Sequence, residues 1–164
     1  MSDDATGTPM DEVPELPRLG EMGLENFPPY LMNRIMGRYN AALREEMAKL
    51  GLTTPKMRSI AVLSVMDGLQ IRELAIYAVV EQSTLSRALD ALEKDGLVRR
   101  ETDPADSRAT RVYLTATGRK TYEILWPHVA VAYHQMFKGI GSEEMRGFVT
   151  TLQRILKNIR KNPI

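Results

Sequence analysis

Residues 69–100 read LQIRELAIYAVVEQSTLSRALDALEKDGLVRR, and the spacing of their apolar residues decides the fold. Across residues 71–78, Ile71, Leu74, Ala75 and Ala78 share one helical face. After a brief connection at 79–82, a second helix is predicted over 83–95. On its wheel Leu85, Ala88, Leu89 and Leu92 point one way, while Ser83, Arg87, Asp90 and Lys94 point the other. The apolar half docks on a core and the polar half is left to touch something else. Gly96 closes this helix as a left-handed cap.

Downstream the period changes. Residues 97–102 and 109–114 are short and rich in β-formers, and in the second Arg111 and Tyr113 alternate with Val112 and Leu114. Between them Asp103-Pro104-Ala105-Asp106-Ser107-Arg108 is a polar turn. The pair reads as a β-hairpin with an exposed basic tip. Thr115 then caps a long helix with Tyr122, Leu125, Trp126, Val129, Tyr133, Met136 and Phe137 on its inner face. Pro127 is expected to kink that helix, because it removes a backbone hydrogen bond.

Upstream, Pro28 and Pro29 suit the first turn of a helix in which Met32, Met36, Tyr39, Leu43, Met47 and Leu50 recur at three- and four-residue steps before Gly51. Thr54-Pro55, an N-cap followed by proline at the first helical position, starts another helix that stops at Asp67-Gly68, with Ile60, Leu63 and Val65 giving it a broad, largely buried apolar surface. At the other end Ser142-Glu143-Glu144 opens a final helix with a stripe of Met145, Phe148, Val149, Leu152, Ile155, Leu156 and Ile159. That stripe is too long for so small a core to cover. Burial of this face and of the first long helix against a second copy is expected; pairing of the two helices within one chain is the alternative.

The 164 residues fit one domain. The absence of cysteine excludes disulfides, zinc-thiolate and iron–sulfur sites and thiol redox switching. The net charge of +1 hides an asymmetry: residues 1–25 hold seven acids and one base, a balance of −6, which leaves +7 on the rest. A basic body admits nucleic acid as a partner. The acidic segment, with Pro9, Pro14 and Pro17, reads as a disordered leader that is neither signal peptide nor membrane anchor. No stretch approaches the roughly 20 apolar residues of a membrane span, so a cytoplasmic protein without a membrane partner is expected.

Helix, short helix, turn, exposed helix and two-stranded hairpin together resemble a winged helix-turn-helix. With its long flanking helices the chain is similar to the MarR family of bacterial transcriptional regulators. The resemblance is carried by Ile71, Arg72, Glu73, Leu74 and Ala75, by Gln82-Ser83-Thr84-Leu85-Ser86-Arg87, by Leu92-Glu93-Lys94-Asp95-Gly96-Leu97-Val98-Arg99-Arg100, and by Asp103, Asp106, Ser107, Arg108, Leu114, Thr115 and Gly118. It spans roughly residues 27–160 and is densest over 69–120. It implies a mainly α fold with a small β-hairpin wing (α+β). The leader then occupies 1–26 and a single domain 27–164, with a winged core at about 52–115 and dimerisation helices at about 28–50 and 116–161. In one departure, Ala78-Val79-Val80 stands where many helix-turn-helix units place glycine. Valine resists positive φ, so a turn wider than, or shaped differently from, a tight glycine turn is expected.

A helix fits the major groove and its N-terminal residues reach base edges first, which makes Gln82, Ser83, Thr84, Ser86 and Arg87 the base-contact candidates. Arg87 suits bidentate pairing with guanine, at roughly 1–3 kcal/mol of discrimination. The alternative is a surface ion pair with Asp90, worth at most about 0.5 kcal/mol. Ser83 and Thr84 also suit helix caps. Arg108 at the hairpin tip fits a narrow minor groove, with Asp106 to orient it, as the resemblance also implies; otherwise it is a solvated turn residue. Arg99, Arg100 and Arg111 are assigned to phosphates.

The resemblance further implies a homodimeric, ligand-responsive repressor on a pseudo-palindromic operator. Its effectors are small aromatic acids held between the DNA-binding lobe and the dimerisation helices. Arg34 or Arg38 would then meet a carboxylate and Tyr39, Met57 or Trp126 an aromatic ring, although packing and surface charge explain each of them equally well. Enzymatic readings find no support: there is no glycine-rich phosphate loop, nucleophile elbow or paired-histidine metal spacing, and neither a cofactor nor a metal is expected. His128 and His134 read as interior or interface histidines. The rival function is a winged-helix protein-interaction module that does not bind an operator.

Overall fold

The computed structural model describes residues 16–160. Their helices are α1 (Leu19–Met22), α2 (Pro28–Lys49), α3 (Thr54–Val65), α4 (Ile71–Ala78), α5 (Gln82–Lys94), α6 (Ala116–Met136) and α7 (Ser142–Ile159), with a 3₁₀ turn at Leu24–Asn26. The strands are β1 (Leu69–Gln70), β2 (Val98–Thr102) and β3 (Thr110–Leu114). This is a mainly helical winged helix fold. Two compact units divide the chain, the first ending at Arg38 and the second beginning at Tyr39.

In the first unit, order begins earlier than its acidic composition suggests. The carbonyl of Arg18 accepts from the amides of Glu21 and Met22, and Asn26 Nδ2 donates to the Met22 carbonyl at 2.8 Å. These local bonds close two short turns inside the segment expected to be a disordered leader; residues 1–15 of that segment lie outside the described residues.

The second unit is built on one apolar cluster. Leu43 and Met47 of α2, Ile60 and Leu63 of α3, Leu74 and Ala78 of α4, Leu85, Leu89 and Leu92 of α5, Val98, Val112 and Leu114 of the sheet and Leu125 of α6 are all buried in it. Each large aliphatic side chain withdrawn from water in this way contributes about 1.5–3 kcal/mol. Val65 does not join them: it is 83% exposed. Two residues beyond Leu63, its side chain points about 200° around the helix, at the last position before Met66 leaves helical geometry. The N-cap of α3 is Thr53, one residue before the expected Thr54, with Pro55 in the first turn.

The expected hairpin supplies two strands of a three-stranded antiparallel sheet in the order β1-β3-β2. Val98 pairs with Leu114 and Thr102 with Thr110 across the wing, while Leu69 pairs with Val112 and Gln70 with Arg111 on the other edge of β3. Gly68 delivers the chain into β1 at φ +75°, and a Cβ there would lie 2.7 Å from the Tyr113 ring. The backbone angle favours glycine, and any larger residue would also have to displace the Tyr113 ring.

The helix-turn-helix connection is tight rather than wide. Val79 adopts φ 53° and ψ 54°, the left-handed conformation that glycine usually supplies. The Val80 amide donates to the Ala75 carbonyl at 3.1 Å, closing the end of α4, and Arg58 Nη1 donates to the Val79 carbonyl at 3.2 Å. The sequence-based expectation of a broad turn is overturned because these bonds outweigh the steric cost at a single residue.

α6 starts where Thr115 Oγ1 accepts from the Gly118 amide at 3.0 Å and donates to the Gly96 carbonyl at 2.7 Å. The helix continues unbroken through Pro127. Only part of the expected inner face is buried: Leu125 is, Tyr122 and Val129 pack partly against the core, and Trp126 and Tyr133 stay about half exposed, while Ala132, outside the expected set, is buried. α7 has no buried residue. No helix among the described residues is long and apolar enough to cross a membrane.

Candidate nucleic-acid interface

α5 presents the candidate surface because its other face is committed. Leu85, Leu89 and Leu92 have no exposed surface, which fixes the rotation of the helix and turns Gln82, Ser83, Ser86, Arg87, Asp90 and Lys94 outward. Thr84 is half-buried. The helix opens at Gln82 behind Glu81, whose side chain makes no capping bond. Ser83 and Thr84 consequently lie in the first turn and are not caps. The first-turn amides keep their donors for an outside acceptor, and the helix dipole favours an anionic one. Ser86 Oγ donates to the Gln82 carbonyl at 3.0 Å.

Among the described residues Arg87 makes no ion pair or hydrogen bond. Its expected competitor, Asp90, is taken instead by Arg100, whose Nη2 lies 2.9 Å from Asp90 Oδ1. Arg100 also donates from Nε and Nη2 to Glu93 Oε2 at 2.9 and 2.5 Å, and its backbone amide donates to Glu93 Oε1 at 3.1 Å. These bonds hold the Glu93 carboxyl below the usual glutamate range.

At the wing tip Arg108 is 89% exposed along its side chain. Asp106 Oδ1 accepts from both its backbone amide, at 3.0 Å, and its Nε, at 3.1 Å. The carboxylate steers the guanidinium without covering it. The base of the wing is braced by Asp103, whose side chain is fully buried. Its Oδ2 accepts from Gln70 Nε2 at 2.7 Å and Arg111 Nε at 2.8 Å, and its Oδ1 from the Ala105 amide at 2.8 Å. Those donors, Gln70 first, hold the Asp103 carboxyl below its ordinary value. Arg111 Nη1 also donates to the Gly68 carbonyl at 2.7 Å, which ties β3 to the entrance of β1.

Gln82, Ser86, Asp106 and Arg108, chosen from sequence, thus line one open cleft between the first turns of α5 and the wing, together with Gln70, Ile71, Arg72, Ala109 and Thr110. Arg72 is the addition. It is exposed in the first turn of α4, and a base at the start of the helix preceding the exposed one is the signal that could have found it. The three arginines assigned to phosphates are otherwise engaged. Arg100 is held by Asp90 and Glu93 and Arg111 by the buried Asp103, while Arg99 pairs with Glu101 and stacks 4.3 Å from the centre of the Tyr113 ring. Spacing along a strand does not disclose partners that lie on other elements.

The effector candidates are scattered in character. In the first unit Arg38 is exposed and Arg34 Nη1 donates to the Tyr30 hydroxyl at 3.1 Å. In the second, Met57 belongs to the buried core, Tyr39 packs partly against it, and Trp126 tilts against Tyr122 with ring centres 6.0 Å apart. Burial pushes the Tyr39 hydroxyl pKa up. His128 Nε2 lies 3.6 Å from Glu46 Oε2. No group of three or more metal-ligating side chains occurs among the described residues.

An outward polar helix beside a braced wing with an arginine tip defines a DNA-binding protein of the winged helix-turn-helix class. The chain belongs to the MarR family of transcriptional regulators. The MarR family model matches residues 52–110. The crystal structure of a MarR-family transcriptional regulator from Silicibacter pomeroyi superposes with a TM-score of 0.86 at 59% identity, over 90% of this chain and 100% of that one. The HTH-type transcriptional repressor IacR of Pseudomonas putida is 26% identical over 143 residues, 87% of this chain and 86% of IacR. NadR, in its crystal structure with 4-hydroxyphenylacetate, is 27% identical with a TM-score of 0.70, over 79% of this chain and 91% of that one.

Proposed function

We propose that this regulator is a homodimeric, ligand-responsive repressor that reads a pseudo-palindromic operator whose half-sites lie about one helical turn apart. The observation that carries the reading is the cleft in which Gln82 and Ser86 of α5 face Arg108 of the wing. A helix entering the major groove beside an arginine entering the minor groove reads two features of one duplex. Arg87 supplies the bidentate base contact, and Arg72 and the first-turn amides of α5 meet phosphates. Selection from a random duplex library, followed by gel-shift titration over a salt series, tests this: one enriched inverted repeat is expected, and uniform binding to every duplex overturns it.

Replacing Arg87 and Arg108 by alanine distinguishes a repressor from a protein-interaction module. The repressor loses operator affinity, whereas the module keeps its partner. An aromatic carboxylate is the proposed effector class, supported by the complex of NadR with 4-hydroxyphenylacetate. A thermal-shift titration with that compound is expected to raise the melting temperature as its concentration passes the dissociation constant. A flat curve removes this acid from the effector class.

A further inference from the structure

We propose that Arg100 is a positioning residue that keeps Asp90 away from Arg87, so that the Arg87 guanidinium stays open for a base edge; the inference rests on the DNA-binding reading above. α5 carries two bases, Arg87 and Lys94, and two acids, Asp90 and Glu93, so its own formal charges cancel. Arg87 and Asp90 stand three residues apart on the exposed face, a spacing at which opposite charges pair on helices. They do not pair here. Asp90 Oδ1 meets Arg100 Nη2 at 2.9 Å, and Arg87 has no partner among the described residues.

The choice has a geometric cause. Val112 opposite Arg100 in the sheet register fixes where the arginine leaves β2, and Glu93 fixes the guanidinium itself through Nε at 2.9 Å and Nη2 at 2.5 Å. A planar fork already held by one carboxylate loses little further freedom when it meets a second. Arg87, by contrast, would have to give up the rotamers of a long exposed side chain to reach Asp90. Arg100 is only 27% exposed along its side chain and holds two carboxylates, so it is poorly placed to contact a phosphate itself. Its effect on DNA passes through Arg87. A positive charge delivered from the wing strand thereby gives a helix of zero net charge an arginine that is not neutralised by its own neighbour.

The test uses the full chain, with a duplex enriched by the wild-type protein as the specific probe and an unselected duplex as the non-specific one. Arg100→Gln is expected to weaken the enriched duplex about two- to threefold, the most that a surface Arg87–Asp90 pair can withhold from a base contact, and to leave the unselected duplex unchanged. Adding Asp90→Asn is expected to restore the wild-type affinity, and Arg100→Gln is expected to have no further effect in an Arg87→Ala background. A purely structural role for Arg100 predicts neither rescue nor masking. Circular dichroism confirms that the variants are folded, and Arg100→Lys, which keeps the charge but lacks the fork, replaces Arg100→Gln if that variant does not fold; a partial, Asp90→Asn-rescued loss is then expected. Equal weakening of both duplexes, with a salt slope lowered by about one per protomer, makes Arg100 a phosphate contact and overturns the inference. Unchanged binding overturns it as well. A wild-type protein that enriches no duplex brings down the DNA-binding reading and this inference together.

Discussion

Val79 is the one non-glycine residue with positive φ among the described residues, and it lies between the two helices whose relative angle sets the interface. A left-handed L-residue costs about 1–2 kcal/mol and a β-branched one sits there poorly. Glycine removes that cost but adds about 0.5–1 kcal/mol of backbone entropy. Because the Val79 side chain is mostly exposed, little packing is lost. Val79→Gly is expected to raise unfolding stability by up to about 1 kcal/mol, read as a higher denaturant midpoint at unchanged slope. A lower midpoint would mean that the valine makes contacts worth more than the strain. Asp103 gives the other test at this scale. Its folded pKa lies below the ordinary aspartate value of 3.8, so the stability it confers is complete above that value and is lost as pH falls through the folded pKa. Asp103→Asn is expected to melt at lower temperature than the wild type at neutral pH, with the gap narrowing in acid below 3.8. A gap that stays constant with pH would show that the charge on Asp103 is not what braces the wing.

The junction between β3 and α6 shows what a single sequence discloses about an element and what it withholds. Thr115 is legible as an N-cap because capping is local: a hydroxyl followed three residues on by an amide that needs an acceptor. Thr115→Ala is expected to cost about 1 kcal/mol. Gly118 is visible as a glycine, but its reason is not local. A Cβ there would fall 2.0 Å from the Leu97 carbonyl oxygen, which is backbone and cannot swing aside. Gly118→Ala is therefore expected to cost about 3 kcal/mol, more than the lost cap; chemical denaturation of the two variants checks the order, and a smaller loss for Gly118→Ala would show that α6 shifts freely. The same division runs through the molecule. α5 appears within one residue of its predicted bounds because amphipathic period is a property of contiguous residues. β1 has two residues and no period, and it exists only because Leu69 and Gln70 find Val112 and Arg111. The pairing of Arg100 with Asp90 and of Arg111 with Asp103 likewise joins elements that spacing along the chain cannot bring together.

At the scale of the whole molecule, α7 poses the remaining physical problem. Phe148, Val149, Ile155, Leu156 and Ile159 are exposed along one helix, and a continuous apolar face of that length is unfavourable in water. A closed dimer covers such a face with its own copy and at the same time sets two winged units at a fixed distance, which an inverted-repeat operator requires. The two consequences should fail together. Leu156→Asp with Ile159→Asp alters residues that are 61% and 69% exposed in the single chain, so the core of the winged unit stays intact while the proposed contact acquires buried, unpaired charge. The variant is expected to elute as a monomer with the wild-type circular dichroism spectrum. Its operator affinity is expected to drop by about 10²–10⁴, because the second half-site is no longer bound at the high effective concentration that linkage provides. Affinity for an isolated half-site duplex should change little. A variant that remains dimeric would place the dimer contact elsewhere, and one that becomes monomeric yet keeps full operator affinity would show that DNA is read by single chains.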